Sequence, residues 1–307
     1  MQALQLGLAP SCAASGGKVP PLVAILFVLE IVLGSAQSLP ADILPDLQPD
    51  SLGPTTSRAA MQSAVRSIPL EKLDAESRAK VHSVLSHISV FRRMPIRVVD
   101  CDPHLYLFLV RHPDVVVNIW EVLRISSLKL EQIGSGKYQV AESAGTLANV
   151  EFLYRSHDTH VIYGEGSYDG PLFAKPVKGR CLLVLRSGYV RETNGRYYIT
   201  TRLDTFVRVD HGGVELLTKT FHPLIGKTAD SNFVQTVAFL GSLSRTAEVN
   251  LRGVQRLATK LYRVTPEARL QLARLAADVA RKSSASSDRQ DSDATQVASR
   301  SRTKSER

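Results

Sequence analysis

The sequence predicts an α+β domain in which an antiparallel sheet of about seven strands is followed by a long C-terminal helix. Three observations carry that prediction. From Leu128 to Ile225 apolar residues recur at period two, punctuated by Gly, Asn and Asp. After Asp230 the helical period returns. Ahead of the strands, Asp102-Pro103 and His112-Pro113-Asp114 each place Pro near a first helical turn, so two short helices follow in tight succession.

The elements run in order as follows. Lys18 precedes an apolar run from Leu22 to Leu33, and Gly34, Ser35 and Ala36 follow it. That order of charge, apolar core and small residues reads as an export signal over 1–36, cleaved near Ala36. The run is shorter than the about 20 apolar residues of a membrane span. An uncleaved anchor is the rival reading, and Glu30 interrupts the run. Residues 37–67 mix Pro, Ser, Asp and Gly and read as a linker. Over 68–92 the expectation is an N-terminal helix, capped by Asp74 and carrying Val81, Val84, Leu85 and Ile88 at helical spacing.

A main domain is expected over 93–262. It starts with a strand from Ile96 to Cys101, rich in branched residues. The two short helices come next, and Pro113 ends the first by disfavouring helix at His112. The second carries Val116, Ile119, Trp120 and Leu123 on one face. Six strands then follow, from "KYQVAES" to "GVELLTKTFHPL", joined by turns such as Asn194-Gly195. The long helix begins at "SNFVQTVAFLGSLS", with Phe233, Val237 and Leu240 in one stripe. A basic helix over 263–282 starts with Thr265 as N-cap and Pro266 behind it. From 283 to 307 almost nothing is apolar, so a disordered tail is expected.

Strand, two short helices, meander and long helix, in that order, resemble the helix-grip fold of the START and polyketide-cyclase-like superfamily. "DPHLYLFLVRHPDVVVNIWEVL" is similar to the helix pair that closes one end of that sheet. "DSNFVQTVAFLGSLS" resembles the gripped helix, and "FHPLIG" the segment leading into it. The resemblance implies a curved sheet wrapped on the long C-terminal helix, with a cavity between them that often holds an apolar ligand. It carries over no catalytic set.

Alternation in "RYYITTRLDTFVRVD" separates Tyr197, Ile199, Thr201, Leu203, Thr205, Val207 and Val209 from Arg202, Asp204, Phe206, Arg208 and Asp210. The first set is expected to face the long helix, and the charged set to form a solvated surface. Candidate ligand contacts are therefore Trp120, Tyr197, Ile199, Leu203, Val207, Phe233 and Val237. A packed core tolerant of hydroxyls is the competing reading.

The sequence holds no GxSxG elbow, HExxH or EF-hand loop, and Gly134-Ser135-Gly136-Lys137 lacks phosphate-loop spacing. No catalytic residue, metal site or cofactor is expected. His157, Asp158 and His160 read as a polar turn, and His222 as the end of the last strand. Cys101 and Cys181 read either as buried thiols or as an exported protein's disulfide.

The net charge of +9 is uneven. Residues 37–244 carry 23 Lys/Arg against 21 Asp/Glu, and residues 245–307 carry 14 against 7. A nearly neutral body argues against specific nucleic-acid binding. The leading expectation is an exported, non-enzymatic module for a hydrophobic or amphipathic small molecule or lipid. The alternatives are a cyclase or hydrolase on the same fold, and an envelope-associated protein with a solid core. The last would bind an anionic surface through its basic C-terminus.

Overall fold

Strand pairing dominates the molecule. The computed structural model describes residues 53–142, 145–169, 176–193, 195–210 and 222–305. Helix α1 (Arg58–Arg66) and helix α2 (Ala75–Leu85) lead into strands β1 (Val90–Arg93) and β2 (Arg97–Asp100). Helices α3 (Pro103–Arg111) and α4 (Pro113–Val122) come next. Six strands follow: β3 (Lys129–Gly134), β4 (Lys137–Glu142), β5 (Thr146–Arg155), β6 (Thr159–Tyr168), β7 (Val177–Arg191) and β8 (Tyr197–Val209). Helices α5 (His222–Val249), α6 (Leu251–Thr259) and α7 (Pro266–Ser305) complete the described chain.

All pairings are antiparallel, in the order β1-β8-β7-β6-β5-β4-β3, with β2 also on β8. Register shifts at Gln132/Gly134 and Phe152/Tyr154 add local twist. Side chains from every strand between β3 and β8 border one interior void together with α5. A flat sheet of that width could not do this, so the sheet curls around the helix.

The two adjacent helix starts are built as the residues dictate. Asp102 caps α3, accepting from the backbone N–H of His104 (2.9 Å) and Leu105 (3.2 Å). His112, at φ −123° and ψ 68°, breaks the helical path, and Pro113 restarts it. The short step lets two helix faces, rather than one, close over the sheet. Thr265 caps α7 through the Ala268 N–H (3.3 Å). That helix docks through Leu272, Ala276 and Val279.

Several expectations need correction. Residues expected to be linker form α1, because Ser57 caps it and Ala60 and Ala64 find a buried site. The span expected to be one helix, 68–92, contains a 3-10 turn, α2 and then β1, which pairs with the far half of β8. Among the described residues the sheet has eight strands, in keeping with the about seven expected; Val90–Arg93 and Lys129–Gly134 are the two the sequence reading did not place. The expected last strand lies outside the described residues up to 221, and from His222 the chain is helix. The long helix breaks at Asn250, whose side chain caps α6 at Gly253 (3.0 Å). The tail expected to be disordered is helical to Ser305, in a stretch without Pro or Gly. The export signal and the start of the linker lie outside the described residues.

The expected solvated face is also wrong. α1 and α2 cover the outer face of β6, β7 and β8, forming a second core with Phe91, Val161, Leu182, Val184 and Phe206. Asp204 is completely buried there and is held by Arg93 (Nε–Oδ1 2.6 Å). Arg202 also approaches it at 3.4 Å. The charges alternate because the N-terminal helices bring a partner arginine, not because water covers them. Cys101 and Cys181 are free buried thiols, each pushed up to about 12 by burial. Arg92 pairs with Asp230 (Nε–Oδ1 2.7 Å) and ties β1 to α5.

Candidate functional site

A cavity of about 170 Å³ lies between the inner face of the sheet and α5, closed on one side by α3 and α4. Each element presents the residue its period puts there. Helix α3 gives Tyr106, Leu109 and Val110, and α4 gives Val116, Val117 and Trp120. The strands give alternate residues: Leu128 and Leu130, Tyr138 and Val140, Val150 and Phe152, Leu183 and Leu185. Helix α5 contributes Phe233, Thr236, Val237 and Leu240, one stripe at three- and four-residue spacing.

Trp120, Leu203, Phe233 and Val237 meet at this cavity. Thr201, from the same strand face, joins them. Ile199 is buried in the main core but does not border the void. Tyr197 sits at the start of β8 with Arg191 over its ring at 5.7 Å. Val207 belongs to a small cluster of its own with Val177, Cys181 and Val209. The reason is length. β8 has 13 residues, about 43 Å at ~3.3 Å per residue, and outruns the cavity at both ends. Leu128, Leu130, Val140 and Val150 belong to the same wall; the period-two signal that marked their strands also marked these faces.

The wall is apolar, and its hydroxyls are turned to the protein. Tyr106 Oη lies 2.7 Å from Ser187 Oγ, and Tyr138 Oη donates to the Arg111 carbonyl (3.3 Å). Burial raises the pKa of both phenols, so both stay protonated. Thr201 donates to the Arg97 carbonyl (3.1 Å) and Thr236 to the Asn232 carbonyl (2.8 Å).

Two buried polar side chains lie outside the cavity lining, Asp114 on α4 and His160 on β6. Asp114 and His160 are both fully buried, and neither imidazole nitrogen of His160 has a hydrogen-bond partner. Burial raises the Asp114 carboxyl, while the first amides of α4 partly oppose it. Burial, with Arg111 and Arg155 nearby, holds the His160 imidazole down to about 4, so it is neutral. His160 is thus no exposed turn residue. It stacks edge-on against Phe152, a cavity residue, at 6.2 Å. His222 begins α5 rather than ending a strand.

Among the described residues no three His, Cys, Asp or Glu side chains group as a metal site requires. No helix among them is long and apolar enough to cross a membrane. A larger groove of about 360 Å³ opens on the outer sheet face, lined by Gln139, Asn149, Glu165 and Lys178 among others. Arg180 and Asp210 pair across it at 3.7 Å, so it is a mixed polar surface rather than an apolar site.

No protein-family model matches the chain. No curated protein matches it. Solved structures similar to it include a conserved protein from Geobacillus kaustophilus, 13% identical, with a TM-score of 0.35. That match covers 46% of this chain and 89% of the other. A hypothetical protein from Helicobacter pylori is 12% identical over 47% of this chain and 84% of its own, with a TM-score of 0.31. The di-domain aromatase/cyclase BexL of the BE-7585A biosynthetic pathway is 12% identical over 60% of this chain and 59% of its own, with a TM-score of 0.32.

Proposed function

We propose that this chain is a non-enzymatic module that binds a small apolar molecule between its sheet and α5. The observation that supports the reading is the cavity itself: a void of about 170 Å³ walled by aliphatic and aromatic side chains. An apolar cavity of ~150 Å³ is large enough to hold benzene and stays dry when empty. The size favours a single ring or a short chain over a two-chain lipid. Among the described residues, the lining brings no carboxylate, imidazole, thiol or amine. That favours binding over the acid–base chemistry of a cyclase or hydrolase.

The proposal includes export, with a mature N-terminus near Gln37. N-terminal sequencing of the mature protein tests that part; an intact Met1 in the cytoplasmic fraction would end it. The binding reading is tested by a native mass spectrum of the purified protein with and without toluene. A one-to-one adduct that disappears when Val237→Phe fills the cavity is expected. No adduct at millimolar toluene would sink the reading.

A second reading has an observation of its own. Arg252 and Arg256 lie on the exposed face of α6, with Val249 75% exposed just before it. Basic and apolar groups side by side suit an anionic envelope surface. Co-sedimentation with vesicles of anionic lipid, lost in Arg252→Glu/Arg256→Glu, would favour this reading.

A further inference from the structure

A guest held in the cavity has first to pass its wall. Tyr106, Leu109, Trp120, Tyr138, Leu203 and Leu240, from both faces of the void, are each at most 5% exposed. A ring-sized molecule therefore enters only when an element of the wall moves. The void separates the helix pair α3–α4 from strands β4–β8. Hydrogen bonds such as Arg111 Nη2 to the Ser156 carbonyl (2.9 Å) reach across, but the main backbone neighbours of the pair are β3, α5 and α7.

The C-terminal helices pin that pair at its two outer ends. In the turn between α6 and α7, the Arg263 backbone N–H donates to Asn118 Oδ1 (3.1 Å) and Arg263 Nε donates to Glu121 Oε2 (2.9 Å), both on α4. The same guanidinium reaches Glu131 on β3. Helix α7 then packs on α3, and Lys282 Nζ donates to Asp102 Oδ2 (2.6 Å), whose other oxygen caps α3. Between the pins the two helices meet at His112, a non-helical joint. The Arg263 side chain is 23% exposed and that of Lys282 54%, so water and salt reach both pins.

We propose that α7 is a latch: Arg263 and Lys282 hold α3–α4 shut over the cavity, and their release lets the pair swing about His112 and admit the guest. This rests on the binding reading above and adds the control of entry to the same site. The rate at which bound toluene exchanges with free toluene, read by exchange NMR, tests it. The double variant Arg263→Gln/Lys282→Ala should exchange about tenfold faster with affinity changed by less than about twofold, because a lid alters the barrier and not the bound state. Exchange in the parent should quicken as sodium chloride rises from about 0.02 to about 0.5 M, and the double variant should lose that dependence. Arg245→Gln, which breaks the Arg245–Glu248 pair on α5 (2.7 Å), should leave the rate as it is. If the double variant does not fold, Lys282→Ala decides alone, with exchange about threefold faster expected. Unchanged exchange in a folded variant overturns the latch and leaves the cavity reading standing. So does faster release matched by an equal loss of affinity, because the pins would then shape the filled cavity rather than its entrance. No toluene binding in the parent removes the cavity reading and the latch with it.

Discussion

Filling the cavity is the sharpest perturbation available. Val237 lines it from α5 and is 5% exposed, so Val237→Phe extends a ring into the void without meeting solvent. An unfilled cavity costs roughly 24 cal/mol per Å³, so about 170 Å³ corresponds to ~4 kcal/mol of forgone packing. The added ring takes up enough of that space to exclude a ring-sized guest and should return on the order of 1 kcal/mol. The assay is urea unfolding at constant m, read beside toluene affinity. The expected result is a midpoint that holds or rises, with toluene affinity reduced at least tenfold. A packed interior gives the reverse sign: overpacking there costs about 1–3 kcal/mol, and the parent would bind no toluene. That result would refute the cavity. Val207, although on the same strand as Leu203, cannot serve for this test because it borders a different cluster.

Three further outcomes follow from the geometry. Arg93→Ala strands the buried Asp204 carboxylate and should cost about 3–5 kcal/mol in urea unfolding, whereas a loss under about 1 kcal/mol would mean Arg202 supports Asp204 alone. His160 titrates near 4 when folded and near 6.5 when unfolded, so the unfolded chain binds a proton that the folded chain refuses. Stability should therefore fall as pH drops from about 6.5 to about 4, by up to about 3 kcal/mol, and His160→Leu should flatten that slope relative to the parent; an unchanged slope contradicts the burial. In amide exchange, α7 should lose protection past Val279, its last buried anchor among the described side chains, while the β7–β8 hairpin exchanges slowest. Uniform protection to Ser305 would show a partner for the tail.

Period alone located most elements. The strands announced themselves because a half-buried sheet must alternate, and the double Pro start announced α3 and α4 because Pro113 forbids helix before it. The outer face was misread for a definite reason. Alternating Arg and Asp on β8 look solvated until α1 and α2 are laid over them, and nothing local in Arg202–Asp210 states that helices from the far N-terminal side, Arg58–Arg66 and Ala75–Leu85, supply the cover. β1 was hidden because Val90–Arg93 is short and carries two arginines, whose partners Asp230 and Asp204 are distant in sequence. At the cavity, Trp120, Leu203, Phe233 and Val237 were legible as an apolar stripe and face. Ile199 and Val207 share that face but not the void, since alternation gives the side of a sheet and not the position along it. The two pins of the helix pair were not legible at all; Arg263 and Lys282 meet Glu121 and Asp102 only once the C-terminal helices have docked.

The most direct measurement is diffraction from a crystal held under xenon pressure, because xenon enters apolar voids without needing a polar partner. The account predicts an anomalous peak between Trp120, Leu203, Phe233 and Val237, absent in Val237→Phe. No xenon there in the parent, with those side chains in mutual contact, would contradict it.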